Sequence, residues 1–304
     1  MKCIRSAIVI AATTALIAGS GCSRNEATGR LQFDQLTTKQ EIALGAQAMP
    51  ELIEQYGGES DDRVLREYVE RVGSKLAEYT EGENPQLPWE FTLLDSDVIN
   101  AFALPGGKVF MSRGLMAKMT NEAQLAGVLG HEIGHVTAEH IDERISQATL
   151  ASYGVELTQM LAGSGEGALA QVVPVVVGVG GQGFLLKFSR DQESEADWLG
   201  MRYMRRAGYD PIGQLQVMRI LDEASQGSSA PEILSTHPLP STRIENVQEL
   251  LDTTFKNSQN DPDLGLYEER FERVVGGRLS AIPVGPDSFA LWCGVCREQA
   301  HDSQ

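Results

Sequence analysis

The chain is poor in positive charge. Its 304 residues carry 25 Lys and Arg against 42 Asp and Glu, a formal charge of −17. That balance argues against nucleic acid as a partner and against an electrostatic grip on anionic lipid; solubility is its plainest consequence. Cysteine is scarce, at four residues, so no dense disulfide framework is available. No internal repeat is visible, which argues against a solenoid. Charge is absent altogether from Gly167 to Leu186, a run long enough to span a membrane. Pro174 and the glycines at 167, 178, 180, 181 and 183 speak against a stable spanning helix there. A buried or cleft-lining segment is expected, with a lid as the alternative. The length suits one sizeable domain or two small ones.

The first 21 residues read as a signal peptide. Met1 to Arg5 is a short basic opening, and Ala7 to Ala18 is an apolar run too short to cross a membrane. Gly19-Ser20-Gly21-Cys22 then resembles a lipoprotein signal, with Cys22 as the lipidated residue; ordinary signal cleavage is the alternative. Ser23 resembles the outer-membrane sorting class. One acylated cysteine means a chain anchored to a membrane, not spanning it. Residues 22–37 are polar and read as a linker. Cys293 and Cys296 form Trp292-Cys293-Gly294-Val295-Cys296, like a thioredoxin site, but only eight residues follow. A small structural disulfide is the simpler reading in an oxidising compartment. A second zinc site with His301 lacks ligands.

Chemistry concentrates in Leu125 to Val136, which contains His131-Glu132-Ile133-Gly134-His135. Residues four apart lie on one helix face, so His131 and His135 can offer imidazole nitrogens to one zinc ion. Glu132 points about 100° away and stands beside a metal-bound water as a general base. A chance match on a surface helix is the alternative. Against it stand the apolar neighbours Val128, Leu129, Ile133 and Val136, and three glycines at 127, 130 and 134. Each glycine costs a helix about 1 kcal/mol relative to Ala, which suggests a close-packed neighbour. Asn121 and Gln124 are expected to cap this helix, which could run past Glu139 and His140 towards Ala151. Glu139 lies about 12 Å above His131 along the axis, and His140 points elsewhere, so neither can complete the site. The third ligand must come from another element.

Ser189 and Gln192 make a capping box for a helix carrying Glu193, Glu195 and Asp197. Glu193 and Asp197 share a face, and Glu195 lies about 200° from Glu193. Two carboxylates one turn apart fit a metal ligand and a hydrogen-bond partner for a ligating histidine; a solvated acidic face is the alternative. Elsewhere, helices are expected from Thr38 to about Tyr56, after Asp61 or Asp62 with Leu65, Val69, Val72 and Leu76 inward, from Asp210-Pro211 to about Ala224, and after Ser241. Trp89–Leu94, Ala101–Leu104 and Val109–Ser112 read as strands, the last two a hairpin. An edge strand there could hold an extended peptide by strand addition. After Lys256 the signals weaken.

Asn100 to Gly107, the HExxH helix, Ser189 to Gly200, and Ser235-Thr236-His237-Pro238 with Arg243 together resemble the HtpX-like and CAAX-prenyl-protease-type zinc metallopeptidases. The resemblance spans about residues 38 to 255. It implies zinc on His131, His135 and Glu193, Glu132 as catalytic base, and Asp197 as the hydrogen-bond partner of a ligand. It places a His-Pro loop and an Arg near the zinc, so His237 and Arg243 are assigned to stabilising the transition-state oxyanion; His237 could instead bind zinc in a resting state. The likeness is greatest to a secreted, lipid-anchored branch related to beta-barrel assembly-enhancing proteases. The expectation is an α+β, mainly helical zinc endopeptidase over residues 38–255 with an extension at 256–304. It would be periplasmic, anchored to the outer membrane, and would act on unfolded or misassembled envelope proteins. The rival expectation is a binding protein or chaperone with a closed site.

Overall fold

The computed structural model describes residues 22–279 apart from 34–35, 146, 148–186, 228–229, 240 and 259. The stretch expected as a signal peptide (1–21), the whole uncharged run (167–186) and the Cys293–Cys296 pair lie outside the described residues. As expected, the fold is α+β and mainly helical, with a small sheet beside the helix that carries the HExxH motif.

Strands β1 (Cys22–Arg24) and β2 (Leu31–Phe33) form an antiparallel hairpin within the stretch expected as linker. It is fixed by Asn25, whose buried Nδ2 donates to the carbonyl of Thr137. Helix α1 (Thr38–Gln55) is capped by Thr37, which forms a capping box with Gln40. Helix α2 (Arg63–Ala77) is capped by Asp62, which accepts from Val64 N and Leu65 N. Its apolar stripe of Leu65, Val69, Val72 and Leu76 is fully buried, as 3.6-residue periodicity requires.

Strands β3 (Glu90–Leu94), β4 (Ala101–Leu104) and β5 (Lys108–Ser112) form one sheet in the order β3-β5-β4. The hairpin β4–β5 is antiparallel, and β3 joins β5 in parallel. Among the described residues strand β4 is therefore an edge, and it packs against α3 (Glu122–Thr137), the HExxH helix. All sixteen residues of α3 are buried. Asn121 caps it by accepting from Gln124 N. At its first turn the buried carboxylate of Glu122 accepts hydrogen bonds from the hydroxyls of Tyr68 and Tyr209 and pairs with Arg270 at 3.0 Å. Negative charge at a helix N-terminus is favourable, and this network pins the start of the helix.

Two further helices complete the frame: α4 (Arg190–Arg206) behind the expected Ser189–Gln192 capping box, and α5 (Ile212–Ser225). The glycines of α3 are explained by how closely these approach. A Cβ on Gly134 would stand 2.8 Å from Ala196 O, one on Gly130 3.2 Å from Gly200 O, and one on Gly127 2.9 Å from Gln214 Oε1. Helix α6 (Ser241–Asp252) covers α4 and α5 through Val247 and Leu251. The chain beyond Lys256 also belongs to the packed body as far as residue 279. Phe271 and Val275 are buried in the main core, and Tyr267 caps that segment from a left-handed conformation. These long-range contacts leave no local periodic signature.

Candidate active site

Helix α3 ends at Thr137, earlier than expected. Glu139 takes φ +58°, a left-handed conformation that breaks the α-helical path, and a new helical turn begins at residue 140. This break brings His140 back against the metal-facing helix.

His131 and His135 project from α3 towards α4, where Glu193 stands in the first turn. The fourth member is His237, at the end of a short turn (Ile233–Thr236). One ligand atom from each of these four buried residues lies within 4.8 Å of the others. His131 Nε2 is 3.1 Å from His135 Nε2 and 3.3 Å from His237 Nδ1. Glu193 Oε1 is 3.3 Å from His135 Nε2 and 2.9 Å from His237 Nδ1. Tetrahedral zinc with bonds of about 2.0–2.1 Å has ligand-to-ligand edges of about 3.3–3.4 Å. The nitrogen-and-oxygen donor set and these spacings fit that ion. Glu193 is thus in the cluster and Glu195 is not, in keeping with the helical phase.

Glu132 is buried beside the cluster. Among the described residues its Oε1 has no hydrogen-bond partner, and it lies 3.8 Å from His237 Nε2. A buried, bare carboxylate oxygen next to a metal-ligand set suits a catalytic water. Burial raises this carboxyl above the usual range, with His237 and His131 pulling the other way and Glu193 adding to the rise. A small apolar cavity of about 30 Å³ opens beside Glu132, walled in part by Val128, Val217, Met218, Leu221, Ile233 and Leu239.

Asp197 Oδ1 lies 2.9 Å from His131 Nδ1 and also accepts from Gln214 Nε2. Burial and Arg243 press His131 towards neutrality, but Asp197 and Glu193 outweigh them and raise it to about 9. Burial lowers His135 well below its ordinary value. Glu193 and Asp197 are both held below the carboxylate range; burial opposes this, and Arg243 outweighs it. Arg243 donates from Nε to Asp197 Oδ2 and from Nη2 to Asp197 Oδ1, each at 2.7 Å, and pairs through Nη1 with Glu193. It faces the carboxylates that orient the site, whereas the sequence reading aimed it at the substrate oxygen. Two acidic groups one turn apart attract the buried guanidinium more strongly than an uncharged carbonyl would.

The sequence reading missed three side chains. His140 does not point away: its Nδ1 lies 3.1 Å from His135 Nδ1, and its Nε2 lies 2.9 Å from Glu195 Oε2. Phe188 stacks on His135 with ring centroids 3.9 Å apart. Glu232 accepts from Tyr56 OH and from Asn100 Nδ2, and next to it Ile233 N donates to Ile99 O. The loop that carries His237 is thereby tied to the start of the β4 edge. The only sequence hint of these contacts was the dryness of the surroundings.

A family model described as peptidase family M48 matches residues 64–251. The chain belongs to peptidase family M48. Among curated relatives, the beta-barrel assembly-enhancing protease of Escherichia coli K12 is 34% identical over 194 residues, covering 62% of this chain and 39% of the relative. A putative beta-barrel assembly-enhancing protease of Vibrio cholerae is 32% identical over 269 residues, covering 86% and 53%. The mitochondrial metalloendopeptidase OMA1 of Schizosaccharomyces pombe is 31% identical over 231 residues, covering 74% and 65%. The chain thus spans between about two fifths and two thirds of the length of these relatives. The matched region contains His131, Glu132, His135, Glu193, Asp197, His237 and Arg243. Among the described residues, no helix is long and apolar enough to cross a membrane.

Proposed function

We propose that the chain is a zinc-dependent endopeptidase of the bacterial cell envelope. Its substrates are misfolded or misassembled periplasmic and outer-membrane proteins. The observation that carries this reading is the zinc-sized set of His131, His135 and Glu193 ligand atoms beside a carboxylate oxygen of Glu132 that has no partner among the described residues. When bound, zinc polarises the scissile carbonyl and brings the pKa of a coordinated water down to about 7. Glu132 takes the proton of the attacking water and passes it to the leaving amine. Asp197 holds the Nδ1–H of His131, and Arg243 holds Asp197 and Glu193 in place. The apolar wall beside Glu132 suits an apolar side chain of an unfolded peptide. Strand β4 offers the backbone edge along which such a peptide can lie.

His237 has two alternative roles in this reading. In the arrangement seen, its Nδ1 stands among the ligand atoms, which supports a resting site that the loop itself closes. Once displaced, the imidazole can donate to the carbonyl oxygen as charge grows there, a contribution of about 3 kcal/mol. His237→Ala separates these roles. Relief of the block raises activity with zinc retained; loss of the oxyanion donor lowers kcat.

Names that refer to beta-barrel assembly among the relatives support envelope proteins as substrates. The sequence of residues 1–22 supports a lipid anchor at Cys22 in the outer membrane. Cys22→Ser then moves the protein from the membrane fraction to the soluble periplasm; an unchanged membrane fraction contradicts the anchor. The test of the activity is incubation of the zinc-loaded protein with casein. Cleavage that a chelator abolishes and added zinc restores is expected. If neither the native protein nor His237→Ala cleaves, the closed-site binding protein or chaperone is the better reading.

A further inference from the structure

The metal-facing histidines are supported differently. His131 has a carboxylate directly on its Nδ1, that of Asp197. His135 has a second imidazole there, followed by a carboxylate: His135 Nδ1 to His140 Nδ1 at 3.1 Å, and His140 Nε2 to Glu195 Oε2 at 2.9 Å. His135 and His140 are fully buried, whereas the Glu195 side chain is a quarter exposed. Glu195 also faces Arg30 of the N-terminal segment, whose Nε lies 3.6 Å from Oε2. This reading rests on the zinc site described above.

Proton placement along this line is determined by donor and acceptor chemistry. An ionised carboxylate only accepts, so His140 must carry its hydrogen on Nε2. With its Nε2 hydrogen directed at Glu195, His140 turns its Nδ1 to His135 as the acceptor. Two Nδ1 atoms at 3.1 Å share one hydrogen, so it resides on His135 Nδ1. The Nε2 of His135 is consequently bare and turned towards Glu193 and His131, as a metal ligand must be. The opposite tautomer would put a hydrogen on the atom that faces the metal. Phe188, stacked on the ring at an interplanar angle of 30°, fixes its plane.

We propose that Glu195 and His140 are positioning residues for zinc, selecting the Nδ1–H tautomer of His135 so that its Nε2 is presented to the ion. Partners of this kind are worth about 10–100-fold in metal affinity when removed. The helical phase places Glu195 about 200° from Glu193, off the ligand face; this geometry gives it an influence on zinc, smaller than that of Glu193.

The test uses the full chain stripped of metal by chelation. Zinc affinity is measured by competition with a chromophoric chelator, and the tautomer of His135 by long-range proton–nitrogen NMR of histidine-labelled protein. His140→Leu removes the acceptor and should weaken zinc about 10–100-fold and populate the Nε2–H form of His135. His140→Asn places an amide oxygen close to where Nδ1 stands and should recover most of the affinity. Glu195→Gln can donate as well as accept, so it should weaken zinc about tenfold and mix the tautomers. A purely packing role for His140 would leave the tautomer unchanged. Native zinc affinity in His140→Leu and Glu195→Gln, with the His135 tautomer unmoved, overturns the proposal and leaves the zinc site intact. Failure of the native protein to bind zinc overturns both. If His140→Leu does not fold, Glu195→Gln, altered at a partly exposed side chain, decides the question alone.

Discussion

Replacing Gly134 by alanine should damage the site although helix propensity favours the change. Alanine at an interior helix position is worth about 1 kcal/mol over glycine. Here the new Cβ would stand 2.8 Å from Ala196 O and 3.0 Å from Ala196 Cα. Both are backbone atoms of α4, so no side-chain rotation relieves them. Ordinary contacts need about 3.5–4.0 Å, so α3 and α4 must part by roughly 0.5–1 Å. Overpacking of this kind costs about 1–3 kcal/mol, which leaves a net destabilisation of about 0–2 kcal/mol once propensity is subtracted. The larger consequence is for metal. Glu193 sits three residues before Ala196 on α4, whereas His131 and His135 ride on α3. Ligand distances tolerate about 0.2 Å, so a half-ångström separation should weaken zinc about tenfold or more, about 1.4 kcal/mol. The assay pairs urea unfolding of the stripped protein with zinc competition. Gly277→Ala is the control, because a Cβ there meets nothing within 4 Å among the described residues. A Gly134→Ala protein that is more stable by the full propensity gain and binds zinc like the native one would refute the close-packing argument.

Glu193→Ala should cost zinc affinity far more than Glu195→Gln, because only Glu193 places an oxygen among the ligand atoms; equal losses in a zinc titration would reverse the assignment. Asp62→Ala removes the α2 cap and should cost about 1 kcal/mol in urea unfolding. The Asp62 carboxyl lies below its ordinary 3.8: burial opposes this slightly, and Arg278 with the Leu65 and Val64 amides outweighs it. Its charge-dependent contribution is therefore full above pH 3.8 and is lost as pH falls through the lower folded value. A native–variant stability difference that grew on acidification would contradict that sign.

Sequence and structure part company where contacts are not local. Caps and periodicity located α2, α3 and α4 because Asp62, Asn121 and Ser189 bond to residues two or three positions on, and Leu65, Val69, Val72 and Leu76 repeat with the helix. The glycines of α3 signalled a close neighbour without naming it. His140 was misplaced because one left-handed residue, Glu139, ends the helical phase on which the projection relied. The parallel pairing of β3 with β5 and the burial of Phe271 and Val275 depend on partners many residues away, for which a single sequence holds no periodic trace. Arg243 was linked to the site by resemblance alone; its partners emerge only once α6 lies across α4.

Glu132→Gln tests the central claim most directly. The amide keeps the side chain's volume and leaves His131, His135 and Glu193 untouched, but it cannot accept the proton. Zinc content and casein cleavage should be measured on the same preparation. The account predicts one zinc per chain, as in the native protein, with cleavage lost by a factor of about 10² or more. A variant that holds zinc and cleaves casein at the native rate would contradict the account.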